Sequence, residues 1–275
     1  MDFDLRTPNS AYSFVLNLLG MKGEDFISEY FIECERDYEK FWKKHAKRLT
    51  KVDASRIRIH AFHVTGSLDD CQSIKKQGLQ NLQVVLSSNT DMNRIFQAYG
   101  LQFDIADKIM IFDGHEYNVD YSNYRGRFAL NDDDSNIKAI AHRLYYDFCV
   151  NGFMCNDNVF SYGTDIHQRP EFISDLVKLF PILSKMDYEW RQRAVSYKVN
   201  FFAYLDQVQR FNFDLDEYRD PPYEHWCDLD DNDKVIKWML SHAIDRAYDE
   251  LGMTFLYILD DITIPPEQIT NCTKL

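Results

Sequence analysis

A histidine and a threonine stand two residues apart in the stretch IRIHAFHVTGSLDDCQSIKKQGL, which occupies residues 57–79. Alternating apolar side chains predict a strand over Ile57–Val64 that carries His63 near its end. An imidazole at the end of a rigid strand is a fixed hydrogen-bonding group that adds no charge, and it stands beside backbone groups that can bind a ligand. This joint is therefore a candidate binding site. The alternative is a buried histidine that hydrogen-bonds a neighbouring side chain.

The residues after this strand predict a capped helix. Ser67 has the side chain of a helix N-cap, and Asp70 follows it at the spacing of a capping box. Gly78 is placed to adopt the left-handed conformation that ends a helix. The prediction is thus a strand, a turn and a helix in succession. His60, on the opposite face of the strand, is assigned a structural role.

Helical patterns fill the first part of the chain. Ser10 can cap a short helix that ends at Gly20, and a longer helical stretch is predicted over about 24–49. We therefore expect an N-terminal helical extension over residues 1–52 and a main domain over residues 53–275.

The rest of the chain mixes strands and helices without a regular strand–helix–strand repeat, which favours an α+β fold over a doubly wound sheet. The residue pair Asp113-Gly114 predicts the turn of a hairpin over 108–121. The other predicted elements are helices over 137–150, 170–180 and 234–251, the last closed by Gly252, and strands over 195–208 and 255–259.

The net charge of -13 argues against a protein that coats nucleic acid without specificity, because phosphate binding depends mainly on Lys and Arg. The charge is unevenly distributed. Six of the twelve residues in 40–51 are Lys or Arg and none is acidic, whereas residues 214–233 hold nine acids and one Arg. The simpler interpretation of both runs is a solvated surface. The alternative is a substrate-steering patch in the first run and a charged loop beside a site in the second.

The six cysteines contain no C-x-x-C pair, and no Cys/His cluster has the spacing of a zinc site. We therefore expect reduced thiols and no structural metal. No stretch approaches the roughly 20 apolar residues that a membrane span needs, and the first residues do not have the pattern of a secretory signal. The expected location is cytoplasmic, without a membrane partner.

The H-x-T strand end, followed by the pattern I-x-x-x-G-L at Ile74, Gly78 and Leu79, resembles the first motif of the ADP-ribosyltransferase fold. The later stretch FLYILDDITIPPEQI resembles the V-P-P-E-Y ending of the RNA 2'-phosphotransferase branch, and the H-x-T start is common in the toxin and abortive-infection branches. The resemblance covers roughly residues 56–269. It implies a mixed β core with flanking helices and NAD as the substrate.

The resemblance also implies roles for the first motif. In this fold the histidine at the end of the first core strand holds the adenosine-side ribose of NAD, which assigns that contact to His63. The small polar residue after it supports the nicotinamide end, which assigns Thr65 and the adjoining Gly66 to the same NAD site.

The family further needs an aromatic residue that stacks on the nicotinamide, because a π-face suits a flat cationic ring. The segment NVFSYGTDIHQRPEF is the best candidate, with Tyr162 as the stacking residue. His167 and Arg169 are assigned to the pyrophosphate. A lone Arg before a helix-starting proline has few structural duties, which favours a binding role for Arg169. A packing role is the alternative for Tyr162.

The third requirement is a carboxylate that stabilises the oxocarbenium-like transition state as the glycosidic bond breaks. Many relatives carry a Glu where this chain reads Thr254-Phe255, so the sequence departs from the pattern. The candidates are Glu250, expected in the last turn of the preceding helix, and Glu224 in the acidic run. Glu250 is preferred, because a helix end fixes a side chain better than a loop does. Glu267 is expected to be an exposed turn residue.

These features together predict an NAD-dependent mono-ADP-ribosyltransferase that modifies a macromolecule, as a bacterial toxin or an anti-phage effector held by an antitoxin. RNA or DNA is the favoured acceptor, RNA first, and protein is the alternative acceptor. A second hypothesis is a catalytically inactive ADP-ribosyltransferase fold that serves as a binding or antitoxin module, which the missing glutamate would explain. A third is an unrelated α+β fold with coincidental motifs.

Overall fold

The structure is a computed structural model that describes residues 1–216 and 226–275. The chain divides into two compact units, and each is described by itself. Unit 1 comprises Met1–Phe62, Asn151–Asp157 and Phe201–Ile258, and unit 2 comprises His63–Val150, Asn158–Asn200 and Leu259–Leu275. Helices and antiparallel strands occur together in the chain, which confirms the α+β class.

The α-helices of the described residues are α1 (Pro8–Leu19), α2 (Gly23–Phe26), α3 (Tyr38–Leu49), α4 (Gln72–Gln77), α5 (Leu82–Ser87), α6 (Asp91–Ala98), α7 (Asp132–Tyr145), α8 (Glu171–Leu179), α9 (Ser184–Arg193) and α10 (Asp231–Ala247). The strands are β1 (Asp2–Phe3), β2 (Arg58–Ser67), β3 (Leu101–Asp104), β4 (Ile109–Phe112), β5 (His115–Asn118), β6 (Asn151–Cys155), β7 (Val195–Ala203), β8 (Thr254–Tyr257) and β9 (Ile269–Lys274).

The larger sheet has the strand order β8-β6-β2-β7-β9, and β1 pairs with β2 in parallel. Strand β2 is antiparallel to β6 through Phe62 and Phe153, and β6 is antiparallel to β8. Strands β2 and β7 each contribute residues to both units. The smaller sheet, β3-β4-β5, is an antiparallel meander in unit 2.

The first helix confirms the prediction of its end and corrects the prediction of its start. Gly20 ends α1 in the left-handed conformation, with φ 51° and ψ 45°. The N-cap, however, is Thr7, whose side chain accepts a hydrogen bond from the Ser10 backbone N–H. Ser10 is the reciprocal partner in a capping box, since its hydroxyl accepts from the Thr7 backbone N–H. The preference for Pro at the first helical position explains why the helix begins at Pro8, directly after its N-cap.

The predicted helix over 24–49 is interrupted. It consists of α2, a π-helical segment over Ile27–Glu33, a break and then α3. Glu35 and Arg36 have positive φ at the break, which no glycine or proline marks in the sequence. The Asp37 side chain then accepts a hydrogen bond from the Lys40 backbone N–H and so starts a new helix.

Unit 1 packs the N-terminal helices against α10. The Lys237 side chain on α10 is only 2% exposed and forms an ion pair with Glu39 on α3 at 2.8 Å. Edge-to-face ring contacts join Phe3 to Phe14 and to Trp238, with centroid separations of 5.0 and 6.1 Å. Residues 1–52 therefore share unit 1 with α10, whereas the sequence predicted a boundary between residues 52 and 53.

Strand β2 is longer than predicted and the following helix begins later. The strand continues to Ser67, and α4 begins only at Gln72. Ser67 is not a helix cap: its hydroxyl accepts the Cys71 backbone N–H at 2.9 Å and closes the intervening turn. Gly78 has the predicted positive φ of 83°, but its ψ of -174° lies outside the left-handed helical region.

The hairpin over 108–121 is confirmed: β4 and β5 flank Asp113 and Gly114, which both have positive φ. Helix α8 also lies where it was predicted, with Pro170 directly before it. Strand β7 begins at the predicted Val195 but ends at Ala203, five residues before the predicted end, and a 3-10 turn over Leu205–Gln207 follows. The helix predicted over 137–150 instead spans Asp132–Tyr145, because Asn131 caps it through the Asp134 backbone N–H. Asn151 and Gly152 therefore open strand β6 and do not end a helix.

The C-terminal elements require two corrections. Helix α10 ends at Ala247, whereas the sequence predicted an end at residues 251–252. Asp249, with a φ of 59°, turns the backbone before Gly252 is reached. Strand β9 follows the proline segment and was not predicted. Within the described parts of the chain, the helices are too short or too polar to cross a membrane.

Candidate functional site

Unit 2 joins the first motif to the end of the chain. The Leu79 N–H donates to the Ile264 carbonyl at 2.9 Å, and the Ile264 N–H donates to the Leu79 carbonyl at 3.0 Å. This isolated antiparallel bridge connects the G-L of the first motif with the I-P-P segment. A methyl group on Gly78 would lie 3.0 Å from the Ile264 carbonyl carbon and closer still to its oxygen, so only glycine fits this contact.

The strand end of the first motif also contacts the segment predicted to stack on nicotinamide. A methyl group on Gly66 would lie 2.8 Å from the Gln168 carbonyl carbon and closer still to the oxygen. The absence of a side chain at Gly66 thus admits the protein backbone. The sequence assigned Gly66 to NAD binding, but the Gln168 carbonyl covers this position. Three segments that are distant in the chain, around residues 63–79, 158–169 and 264, therefore meet in unit 2.

His63 and Thr65 are half-buried on β2, and their even spacing places them on one face of the strand. Tyr162 is also half-buried in unit 2. Burial raises the pKa of the Tyr162 hydroxyl, and the neighbouring Glu171 carboxylate raises it further. The hydroxyl is therefore protonated at neutral pH. That His63 and Tyr162 face one cleft remains a prediction. The contact of Gly66 with the Gln168 carbonyl joins the segment that carries His63 to the segment that carries Tyr162.

Arg169 has a structural partner that the sequence did not reveal. Its side chain is 11% exposed, and its Nε lies 2.6 Å from the Asp187 carboxylate on α9. Arg191 contacts the same carboxylate at 3.1 Å and donates to the Gln168 side chain at 3.3 Å. Two arginines thus share Asp187 and fix the segment that approaches Gly66. The expectation that Arg169 has few structural duties was wrong, because helix α9 supplies a carboxylate that is distant in sequence.

Replacing Arg169 with alanine should lower the free energy of unfolding by about 2–3 kcal/mol, because a largely buried ion pair is lost. In this variant Arg191 still pairs with Asp187, which limits the loss of stability. Arg193→Ala, at an exposed position on the same helix as Asp187, is the control and should change stability by no more than about 0.5 kcal/mol. Urea unfolding of both variants measures the difference. Equal stabilities would mean that the Asp187 contact contributes nothing.

His167 carries a buried polar atom without a partner among the described residues. Its Nδ1 is buried and makes no hydrogen bond there. The Gln168 side chain lies 3.2 Å from Nε2, and donation by the Gln168 amide assigns the imidazole proton to Nδ1. Phe160, which is 57% exposed, contacts the ring edge-on at 5.0 Å. Phe160 belongs to the segment NVFSYGTDIHQRPEF, in which the sequence analysis selected Tyr162 as the aromatic residue.

A cluster of charged side chains around Arg143 lies near Tyr162. Arg143 on α7 forms ion pairs with Glu171 at 2.9 Å and with Asp147, and a longer contact with Asp175 at 3.8 Å. Burial raises the pKa of the Asp147 carboxyl, although Arg143 opposes the shift. Sequence reasoning missed these carboxylates, since Asp147 follows α7 while Glu171 and Asp175 lie on α8, and no local pattern connects them.

Glu250, the preferred catalytic carboxylate, is not found in unit 2. Glu250 belongs to unit 1, lies three residues beyond the end of α10 and forms an ion pair with Arg36. Both side chains are about half exposed, and the hydrogen bond raises the pKa of Arg36. The expectation of a place in the last helical turn was wrong. Glu224 lies outside the described residues. Glu267 is exposed in a 3-10 turn, as predicted.

The basic run over 40–51 forms most of α3 in unit 1. Lys44 contacts both Glu29 and Glu33, at 3.0 and 2.8 Å, and Lys40 donates to the Glu33 carbonyl at 2.6 Å. Part of the positive charge of this helix is thus compensated by acidic side chains in the same unit.

The described residues contain no group of three or more His, Cys, Asp or Glu side chains arranged to hold a metal ion. Comparison with known proteins found no matching family model, no matching curated protein and no matching solved structure.

Proposed function

We propose that this protein is an NAD-dependent mono-ADP-ribosyltransferase of ADP-ribosyltransferase-like fold that modifies a macromolecule. One observation carries the proposal: the two motifs that resemble the family and the segment assigned to nicotinamide stacking meet in one compact unit, through Gly66 with Gln168 and through Leu79 with Ile264.

The proposed NAD site uses residues of unit 2. His63 and Thr65, which are both half-buried, would hold the ribose and the nicotinamide end. The His167 Nδ1 is a buried donor without a described partner, which suits a phosphate oxygen. Tyr162 would supply an aromatic face. When bound, NAD supplies the ADP-ribosyl group. Arg169 would act on the pyrophosphate only through the segment that it fixes, because Asp187 holds its guanidinium.

The acceptor is proposed to be nucleic acid, with RNA favoured over DNA and protein as the alternative. The ending ITIPPEQI, which resembles that of the RNA 2'-phosphotransferase branch, supports RNA. The exposed basic side chains of α3 would attract phosphates. The net charge of -13 would limit this attraction to the surface around α3. The proposed setting is the bacterial cytoplasm, as a toxin or anti-phage effector, with a basic antitoxin as the complementary partner.

The deciding experiment is incubation of the purified protein with cell extract and NAD labelled in the adenylate part. Label is expected in RNA and should be removed by ribonuclease. Label in DNA or protein would keep the enzymatic proposal and change the acceptor. Absence of both transfer and NAD consumption, with folded protein shown by circular dichroism, would overturn it.

The catalytic carboxylate is tested by Glu250→Gln and Glu224→Gln. The loss of one transition-state electrostatic contact typically lowers the rate by a factor on the order of 10²–10³. The preference for Glu250 stays a prediction from the sequence: if Glu250 is the catalytic carboxylate, Glu250→Gln should show this loss and Glu224→Gln should turn over NAD almost normally. Arg36→Gln is the matched control, because it removes the partner of Glu250 and keeps the carboxylate. Normal turnover in both Glu variants would exclude both residues from catalysis.

A second candidate function is a catalytically inactive fold used as a binding or antitoxin module. The observation that favours it is the solvent-exposed ion pair of Glu250, together with Thr254 at the position where many relatives carry a Glu. NAD binding without consumption distinguishes this function from the enzyme. Isothermal titration with NAD, followed by chromatography of the ligand, measures both quantities.

A further inference from the structure

Three aromatic side chains of unit 2, Tyr121, His142 and Tyr146, contact one another at the protein surface and are called the ring cluster below. The ring of His142 lies 5.2 Å from that of Tyr121 and 4.8 Å from that of Tyr146, measured between centroids. The two tyrosine rings are 5.5 Å apart. Tyr121 and His142 are half-buried, whereas Tyr146 is 59% exposed. The cluster therefore presents aromatic surface to solvent.

Two local elements hold the ring cluster in place. His142 lies in the last turn of α7, and the Tyr146 backbone N–H, one turn further along, donates to the His142 carbonyl at 2.9 Å. Tyr121 opens a 3-10 turn that is capped by Asp120, whose carboxylate accepts the Ser122 backbone N–H at 3.0 Å. Because these turns are fixed in the free protein, a ligand that binds to the rings has to order little of the chain.

The hydroxyl and imidazole groups of the ring cluster make no hydrogen bond to the part of the chain that the structure describes. Two neighbouring tyrosines are different. The Tyr124 hydroxyl donates to the Asn118 carbonyl at 2.8 Å, and the Tyr145 hydroxyl donates to the Ile105 carbonyl at 3.1 Å. A tyrosine that serves packing alone usually has such a partner. The ring cluster thus offers polar groups as well as aromatic faces to a ligand.

The charges beside the ring cluster favour an anionic ligand. Arg125 is exposed, and its side chain forms no ion pair with the described residues. Its backbone N–H donates at 3.0 Å to the carbonyl of the tyrosine in the 3-10 turn, so it lies one turn from that ring. The two adjacent acids are already paired: Asp120 with Lys108 at 3.0 Å, and Asp147 with Arg143.

The acidic start of α7 is far from the ring cluster. Asp132 and Asp133 lie in the first turn of this helix and His142 lies in its last turn. At 1.5 Å per residue the separation is about 14 Å, which exceeds the Debye length of about 10 Å at 0.1 M salt. Between them, one turn before His142, Lys138 donates to the Arg127 carbonyl at 2.8 Å. The exposed acids therefore repel a ligand at the cluster only weakly.

We propose that the ring cluster binds the bases of a single-stranded nucleic acid and that Arg125 contacts its backbone phosphate. Aromatic rings stack on nucleobases of any sequence, and unpaired polar groups can bind base edges. A duplex keeps its bases stacked inside and cannot use this surface. The strand would be the acceptor of the ADP-ribosyl group, a role that rests on the proposed function, whereas the binding itself needs no NAD.

The test is fluorescence anisotropy of the full chain, without NAD, with a labelled single-stranded RNA of about 12 nucleotides. Single-stranded DNA and duplex RNA of the same sequence are measured alongside. Tyr146→Ala should weaken binding of the single strand by about 5- to 100-fold, because one stacked base is lost. Tyr146→Phe keeps the ring and should bind nearly as the wild type does. The duplex should bind more weakly than the single strand.

Tyr188→Ala is the matched control, because Tyr188 is a 64% exposed tyrosine on α9 of the same unit and makes no ring contact with the described residues. It should bind like the wild type. Arg125→Ala should weaken binding of every sequence alike, and it should lower the slope of log affinity against log salt by about 0.7, the value for one phosphate of a single strand.

The proposal would be overturned if the wild type bound no single strand, if it bound the duplex equally well, or if Tyr146→Ala bound like the wild type. A weakening of the same size in Tyr188→Ala would also overturn it. Tighter binding of DNA than of RNA would keep the site and change the favoured acceptor. Binding without transfer from labelled NAD would reject the proposed function alone, and transfer to protein without strand binding would reject the site alone.

Discussion

Replacing His63 with alanine is expected to lower NAD turnover by about 10²-fold, while the melting temperature changes little. The expectation follows from the place of His63 within β2, four residues before the strand ends, where its side chain is half-buried. Loss of a contact that orients a substrate affects the rate far more than it affects packing. NAD consumption and thermal unfolding of the same preparations measure both effects.

The control is His115→Ala, because His115 is an exposed residue on the β5 hairpin of the same unit. It should turn over NAD like the wild type. If expression of the wild type arrests growth, His63→Ala should relieve the arrest at matched soluble levels, and His115→Ala should not. A large loss of stability in His63→Ala, with normal turnover per folded molecule, would instead show that the histidine is a core residue.

The second large effect is expected for Gly78→Ala. Gly78 has a φ of 83° and a ψ of -174°, a conformation that residues with a Cβ almost never adopt. The added methyl group would also strike the Ile264 carbonyl group. Strain and collision together should lower the free energy of unfolding by about 3 kcal/mol or more. The bridge between Leu79 and Ile264 would separate, and with it the contact between the first motif and the I-P-P segment.

Gly126→Ala is the matched control for this prediction. Gly126 also has a positive φ, of 74°, but a methyl group there would meet no atom within 4 Å. Gly126→Ala should lower the free energy of unfolding by only about 1–2 kcal/mol, because it adds backbone strain without a collision. Urea unfolding of the two variants therefore separates collision from backbone strain. Equal losses in both would mean that the Ile264 segment moves away without cost.

Local sequence patterns correctly predicted those elements whose ends are determined by neighbouring residues. The Asp113-Gly114 hairpin and the start of strand β7 were found where predicted, because a type of turn and an alternation of period two are both set by neighbours in sequence. The end of α1 at Gly20 and the positive φ of Gly78 were also predictable, since glycine alone adopts such backbone without strain.

Errors occurred where a non-glycine residue turned the chain. Arg36 and Asp249 both have positive φ, and they end helical segments that the hydrophobic spacing would have continued. Such residues adopt this conformation only when surrounding contacts compensate the strain. For Arg36 one such contact is the ion pair with Glu250, a residue more than two hundred positions away. No local pattern could contain that information.

The sequence by itself determined the α+β class and two of the segments of the candidate site, the H-x-T strand end and the proline-containing ending. Tertiary structure alone decided which residues meet there. It placed Gln168 against Gly66 and paired Arg169 with Asp187. The physical reason is that alternation, capping and turn preferences act over a few residues, whereas these contacts depend on how strands and helices distant in sequence pack against one another.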